Sequence, residues 1–109
     1  MFDEPLIVTY ETISDLTWQM LRAAQRDDWA MFVGVEAFRA QLTDSLATRS
    51  AAEHMSEVEK QRKREILYQV MYDNLDINDL VSKRELQREL QARAIAIDET
   101  TTTDFRKAA

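Results

Sequence analysis

The chain has 109 residues, 45% hydrophobic and 31% charged, with 20 acidic and 14 basic side chains, one His, one Gly, one Pro and no Cys. That length suits one domain around one core, and the composition is that of a globular chain rather than a disordered one. The absence of cysteine excludes a disulfide framework, a thiolate nucleophile and sulfur-ligated zinc, and a net charge of −6 disfavours a phosphate backbone as partner.

No apolar run approaches the ~20 residues that span a bilayer, so no membrane partner is expected. The acidic start, Met1-Phe2-Asp3-Glu4-Pro5, is unlike a signal peptide, and the expected compartment is the cytoplasm. Gly34 is the only glycine, and neither Gly nor Pro occurs after it. Tight hairpin turns need residues that accept positive φ, so strands are disfavoured and an all-α fold is expected.

In the first segment Leu6, Tyr10, Ile13, Thr17, Met20 and Ala24 recur at helical spacing, with Leu16 and Leu21 beside them. They predict an amphipathic helix of about five turns that begins at Pro5. Asp27 or Asp28 can cap a second helix starting near Trp29. There Met31, Val35, Phe38, Leu42 and Leu46 form the expected inward row, and the short joint implies an antiparallel hairpin. Two capping boxes, Ser50–Glu53 and Ser56–Glu59, mark alternative starts for a third helix. Ile66, Val70, Ile77 and Val81 keep phase across Asn74, Asp76 and Asn78, so one long helix to about Ala94 is expected.

Residues 95–109 hold the run Thr100–Thr103, whose β-branched side chains favour helix weakly. The expected organisation is a bundle domain over 1–94 and a flexible tail over 95–109. The fold class is an all-α, antiparallel three-helix bundle with a long third helix.

The sequence offers little for catalysis. His54 stands alone near a helix start, and Asp73, Asp76 and Asp79 read as a solvated face. One glycine cannot make a phosphate loop. Lys60–Arg64 is interleaved with Glu57, Glu59 and Glu65 and reads as a solubilising surface. Neither an enzyme nor a cofactor or metal site is expected.

The third helix has more apolar surface than a bundle needs. At about 100° per residue, Ile66, Val70, Ile77 and Val81 make one stripe, while Tyr68, Tyr72 and Leu75 fall nearly opposite. Leu67 and Met71 bridge the two. Together they exceed the ≳100° that a surface helix buries, and Trp29, Met31, Phe32 and Val33 give the second helix a similar excess. A wide core, a groove for a partner helix and an interface with a second copy of the chain are the three ways to cover such a surface.

Tyr10, Leu16, Met20-Leu21-Arg22-Ala23-Ala24, Asp28-Trp29 and Arg39 resemble the first helical hairpin of the FliT family of flagellar export chaperones. Ile66-Leu67, Met71, Asp73-Asn74, Leu80, Leu86 and Leu90 resemble the third helix of that family, so the likeness runs over about residues 6–92. The resemblance implies a small helical chaperone of flagellar type III secretion that holds the C-terminal part of the filament cap protein FliD. It further implies contacts with the export ATPase, the export gate and the flagellar master transcriptional regulator. The implied partner surface lies on the second and third helices, with a C-terminal helix as lid. The candidates there are Phe32, Phe38, Leu42, Tyr68, Met71, Tyr72 and Leu75. The four-threonine tail makes a poor lid helix. A nonenzymatic adaptor or regulator, or a helical oligomerisation module, would use the same surface differently.

Overall fold

A computed structural model describes residues 4–49 and 54–108, with side chains as far as residue 96. Its helices are α1 (Leu6–Gln25), α2 (Trp29–Arg49) and α3 (Glu57–Ala108), and no strand occurs among the described residues. The chain divides into two compact units, Met1–Asn78 and Asp79–Ala109.

In the first unit α1 forms the centre of the core. Leu6, Tyr10, Ile13, Leu16, Thr17, Met20, Leu21 and Ala24 are all buried, as the helical spacing predicted. Thr17 is wholly enclosed and donates its hydroxyl to the Ile13 carbonyl at 2.8 Å. That backbond satisfies a polar group that would otherwise be orphaned in an apolar setting.

The α1–α2 joint ends α1 without glycine. Asp27 adopts φ 58, the Asp28 N–H bonds to the Ala23 carbonyl at 2.9 Å, and the Asp27 N–H bonds to that of Ala24 at 3.2 Å. This is the Schellman arrangement, with an aspartate in the left-handed position that glycine usually fills. Asp28 then caps α2, its carboxylate accepting from the Met31 N–H at 3.2 Å. The chain therefore turns back on itself within three residues. Arg49, at the end of α2, donates to Thr9 Oγ1 at 2.8 Å and to the Glu4 carbonyl at 2.6 Å, so α2 runs antiparallel to α1.

The second capping box starts α3: Ser56 N–H donates to Glu59 Oε1 at 3.1 Å, and Glu59 N–H donates to Ser56 Oγ at 3.2 Å. Residues 50–53, with the first box, lie outside the described residues. Just before the cap, Met55 is buried in a cluster with Leu6, Tyr10 and Ile66. Arg62 Nε meets Glu11 Oε1 at 2.9 Å, placing the start of α3 beside the first turns of α1. The first unit is thus an up-down-up three-helix bundle. Ile66 and Ile77 are buried and Val70 half-buried, the stripe that the sequence predicted.

Three expectations shift. The inward row of α2 is Phe32, Val35, Arg39, Leu42, Leu46 and Arg49, while Met31 and Phe38 are exposed. Two arginines hold inward positions, so the apolar residues alone mislead about phase. Asp73 is buried instead of solvated, because it lies seven residues from Ile66 and four from Ile77; Gln69 Nε2 donates to it at 3.1 Å. Finally, α3 continues past Ala94 to Ala108. Threonine lowers helix propensity by only a few tenths of a kcal/mol per residue, and no Gly or Pro stops propagation.

In the second unit, Lys83 pairs with Asp79 at 3.0 Å and Arg93 with Glu89 at 2.6 Å, both at i,i+4 spacing. Leu86, Leu90 and Ile95 are exposed, and the side chains of Ile97 and Phe105 lie outside the described residues.

Candidate partner-binding groove

The second apolar stripe of α3 lies open. Tyr68, Tyr72 and Leu75 are 61%, 60% and 59% exposed, and Met71 and Leu67 are 46% and 45% exposed. Scattered apolar residues on a surface are ordinary, but five within nine residues of one helix form a continuous strip.

That strip borders two clefts. One, of about 280 Å³, is lined by Arg64, Leu67, Tyr68 and Met71 of α3. The other, of about 300 Å³, has a floor of Tyr10 and Ile13 from α1 and walls of Arg39, Thr43 and Leu46 from α2 and Leu67, Val70 and Asn74 from α3. Leu67 lines both clefts. Arg39 stands half-buried on the wall of the larger cleft, in the inward row of α2. Its Nη1 donates to Thr17 Oγ1 at 3.0 Å and to Asn74 Oδ1 at 2.9 Å, which ties α2 to both neighbours through polar contacts.

The candidates named from sequence divide into three groups. Tyr68 and Met71 line a cleft. Tyr72, Leu75 and Phe38 are exposed, and Leu42 is half-buried in the inward row of α2. Phe32 belongs to the core: it is 7% exposed and meets the Trp29 ring edge-on at 5.2 Å. Being in phase with Val35 and Arg39, it is carried inward with them.

Tyr10, Ile13, Leu46, Leu67, Val70 and Arg39 line the site but were not among those candidates. Leu67 carried a signal, since it bridges the two stripes of α3. The contribution of α1 had none, because a helical wheel shows which residues share a face but not how far apart neighbouring helices stand.

The two clefts are lined mainly by apolar and aromatic side chains, with Arg39 and Arg64 among them. No group of three or more His, Asp or Glu side chains among the described residues is placed to hold a metal ion. No helix of the described residues is long and apolar enough to cross a membrane. His54 is exposed and lines neither cleft.

Comparison with known proteins bears on what such a groove is for. Residues 7–98, most of the chain, match the family model described as Flagellar protein FliT. Comparisons with curated proteins and with solved structures gave no match.

Proposed function

Since the chain belongs to the FliT family of flagellar proteins, we propose that it acts as a flagellar export chaperone that binds the C-terminal region of the filament cap protein FliD in the groove beside α3. The observation carrying this reading is the open strip Leu67–Leu75 next to a cleft floored by Tyr10 and Ile13. An amphipathic client helix laid there would bury its apolar face against that strip, at roughly 25 cal/mol for each Å² removed from water. Methionine and tyrosine suit the task, because a flexible thioether and flat rings adapt to an imperfectly matched surface.

The mechanism is equilibrium binding without a covalent step. While the client's stripe is covered it cannot self-associate, and the cytoplasmic complex stays competent for export. Transfer to the export ATPase and gate needs only a competing set of contacts that releases the client. Binding of the master transcriptional regulator, if it uses the same strip, would be mutually exclusive with client binding.

The test is a calorimetric titration with a synthetic peptide of the cap protein's C-terminal segment. The wild-type chain should bind it one to one, and the Tyr72→Glu, Leu75→Glu double variant should lose binding while keeping its helicity by circular dichroism. A tight dimer of the wild-type chain that buries Tyr68 and Tyr72, with no peptide binding, would replace the chaperone reading with an oligomerisation module.

A further inference from the structure

The groove holds charge as well as apolar surface, and the charge has one sign. Arg39 lines the larger cleft and Arg64 the smaller. Their partners in the chain are neutral: Arg39 donates to Thr17 and Asn74, and Arg64 Nη2 donates to Gln61 Oε1 at 2.7 Å. Neither guanidinium has a carboxylate within ion-pair distance among the described residues. Four other cations of α3, Lys60, Arg62, Lys83 and Arg93, each have an acidic partner, while Lys63 lies over the Tyr10 ring at 5.2 Å. The chain carries a net charge of −6, yet no Asp or Glu lines either of these two clefts.

Arg39 is also held in place. Two hydrogen bonds from one nitrogen, to side chains on α1 and α3, fix the guanidinium at the cleft wall while its other nitrogens remain available. A half-buried guanidinium beside apolar walls interacts with an incoming carboxylate more strongly than it would in bulk water.

We infer that the groove selects an acidic amphipathic helix, with carboxylates flanking the apolar stripe that meet Arg39 and Arg64. Spacing follows from α3 itself. Asn74 marks the position of Arg39, and it lies ten residues from Arg64, about 15 Å along the helix at 1.5 Å per residue. The two client carboxylates should therefore lie roughly three helical turns apart. Apolar contacts then supply most of the affinity, while the charges set register and reject helices with basic flanks.

This inference rests on the chaperone reading, and the experiment separates the two. The cap-protein C-terminal peptide is titrated into the intact wild-type chain, then each peptide Asp or Glu is replaced singly by its amide. One or two replacements, spaced about three turns apart, should each weaken binding about tenfold, and the others should have little effect. Against Arg39→Gln, the replacement that pairs with Arg39 should have no further effect, whereas Arg39→Lys should retain much of the affinity. Uniform indifference to every amide replacement, with binding intact, overturns the charge assignment and leaves the groove. Additive losses between Arg39→Gln and every peptide replacement overturn it equally. Failure of the wild-type chain to bind the peptide overturns both readings together. The peptide replacements leave the chaperone's own sequence untouched, so the conclusion does not depend on how well an Arg39 variant folds.

Discussion

Two stripes of one helix, drawn from the same dozen residues, have opposite fates. Ile66 and Ile77 are 2% and 4% exposed, whereas Tyr68, Tyr72 and Leu75 are each about 60% exposed. Residue type alone does not separate them, since leucine buries as readily as isoleucine. The difference is geometric. α1 occupies the side of α3 that Ile66 faces, and nothing among the described residues of the first unit covers the other side. Hydrophobic character thus acts as a folding determinant on one side and remains available for association on the other.

The largest expected effect tests this division. Ile66→Ala removes buried volume from the cluster with Leu6, Tyr10 and Met55 and should cost about 2–5 kcal/mol in urea unfolding. The Tyr72→Glu, Leu75→Glu pair should change stability by no more than about 1 kcal/mol, since exposed positions outside caps and networks rarely matter more. Comparable losses in both variants would show that the second stripe is part of the core.

Next in size is the polar tie from Arg39 to α1 and α3. Thr17 is fully buried and accepts from Arg39, so Thr17→Val leaves one acceptor, Asn74, for that guanidinium. A loss of about 1–3 kcal/mol is expected, the cost of lost bonds and of an arginine left incompletely satisfied. Thermal unfolding monitored at 222 nm would measure it. An unchanged midpoint would mean that water replaces the threonine hydroxyl at no cost, and the tie would then contribute nothing to stability.

The comparison also explains what was legible in the sequence. α1 was readable residue by residue, because it packs against both other helices and its stripe is uninterrupted. The core stripe and the surplus stripe of α3 were readable for a related reason: their phases differ enough to keep apart on a wheel. α2 was not. Its inward row passes through Arg39 and Arg49, so hydrophobicity alone points to Met31 and Phe38, which are exposed, and assigns the buried Phe32 to the partner surface. Asp73 failed by the same logic in reverse, since a carboxylate at an inward position reads as surface until its phase with Ile66 is counted. The floor of the cleft depends on how far α2 and α3 stand apart, and no single-helix pattern encodes that distance.

A smaller effect belongs to the start of α3, which sets where both stripes begin. Ser56 accepts from the Glu59 N–H and Glu59 returns a bond to the Ser56 N–H. Ser56→Ala should cost about 0.5–2 kcal/mol by calorimetry, while Ser56→Gly should cost only a few tenths. An equal loss for both would mean that the hydroxyl is not what caps the helix.

The smallest effect concerns the ion pair that links α3 to α1 on the buried side of the comparison. Arg62 Nε lies 2.9 Å from Glu11 Oε1, and both side chains are about half exposed, 51% and 45%. The hydrogen bond from Arg62, reinforced by its charge and only partly opposed by desolvation, holds the Glu11 carboxyl below its ordinary range. The same contact raises Arg62, a change confined to strongly alkaline pH. A depressed carboxyl stabilises the fold above its unfolded pKa, and that contribution disappears as pH falls through the folded value. Arg62→Gln should therefore be slightly less stable than wild type at pH 7, by less than Ser56→Ala, because a solvated pair is screened. The gap should narrow below about pH 4 and vanish once Glu11 is protonated in both proteins. It should also shrink in 1 M salt at neutral pH. A gap that persists at low pH would assign the contribution of Arg62 to its aliphatic stem packing across α1 rather than to its charge. Even the polar margin of the α1–α3 contact would then depend on the same apolar burial that fixes Ile66.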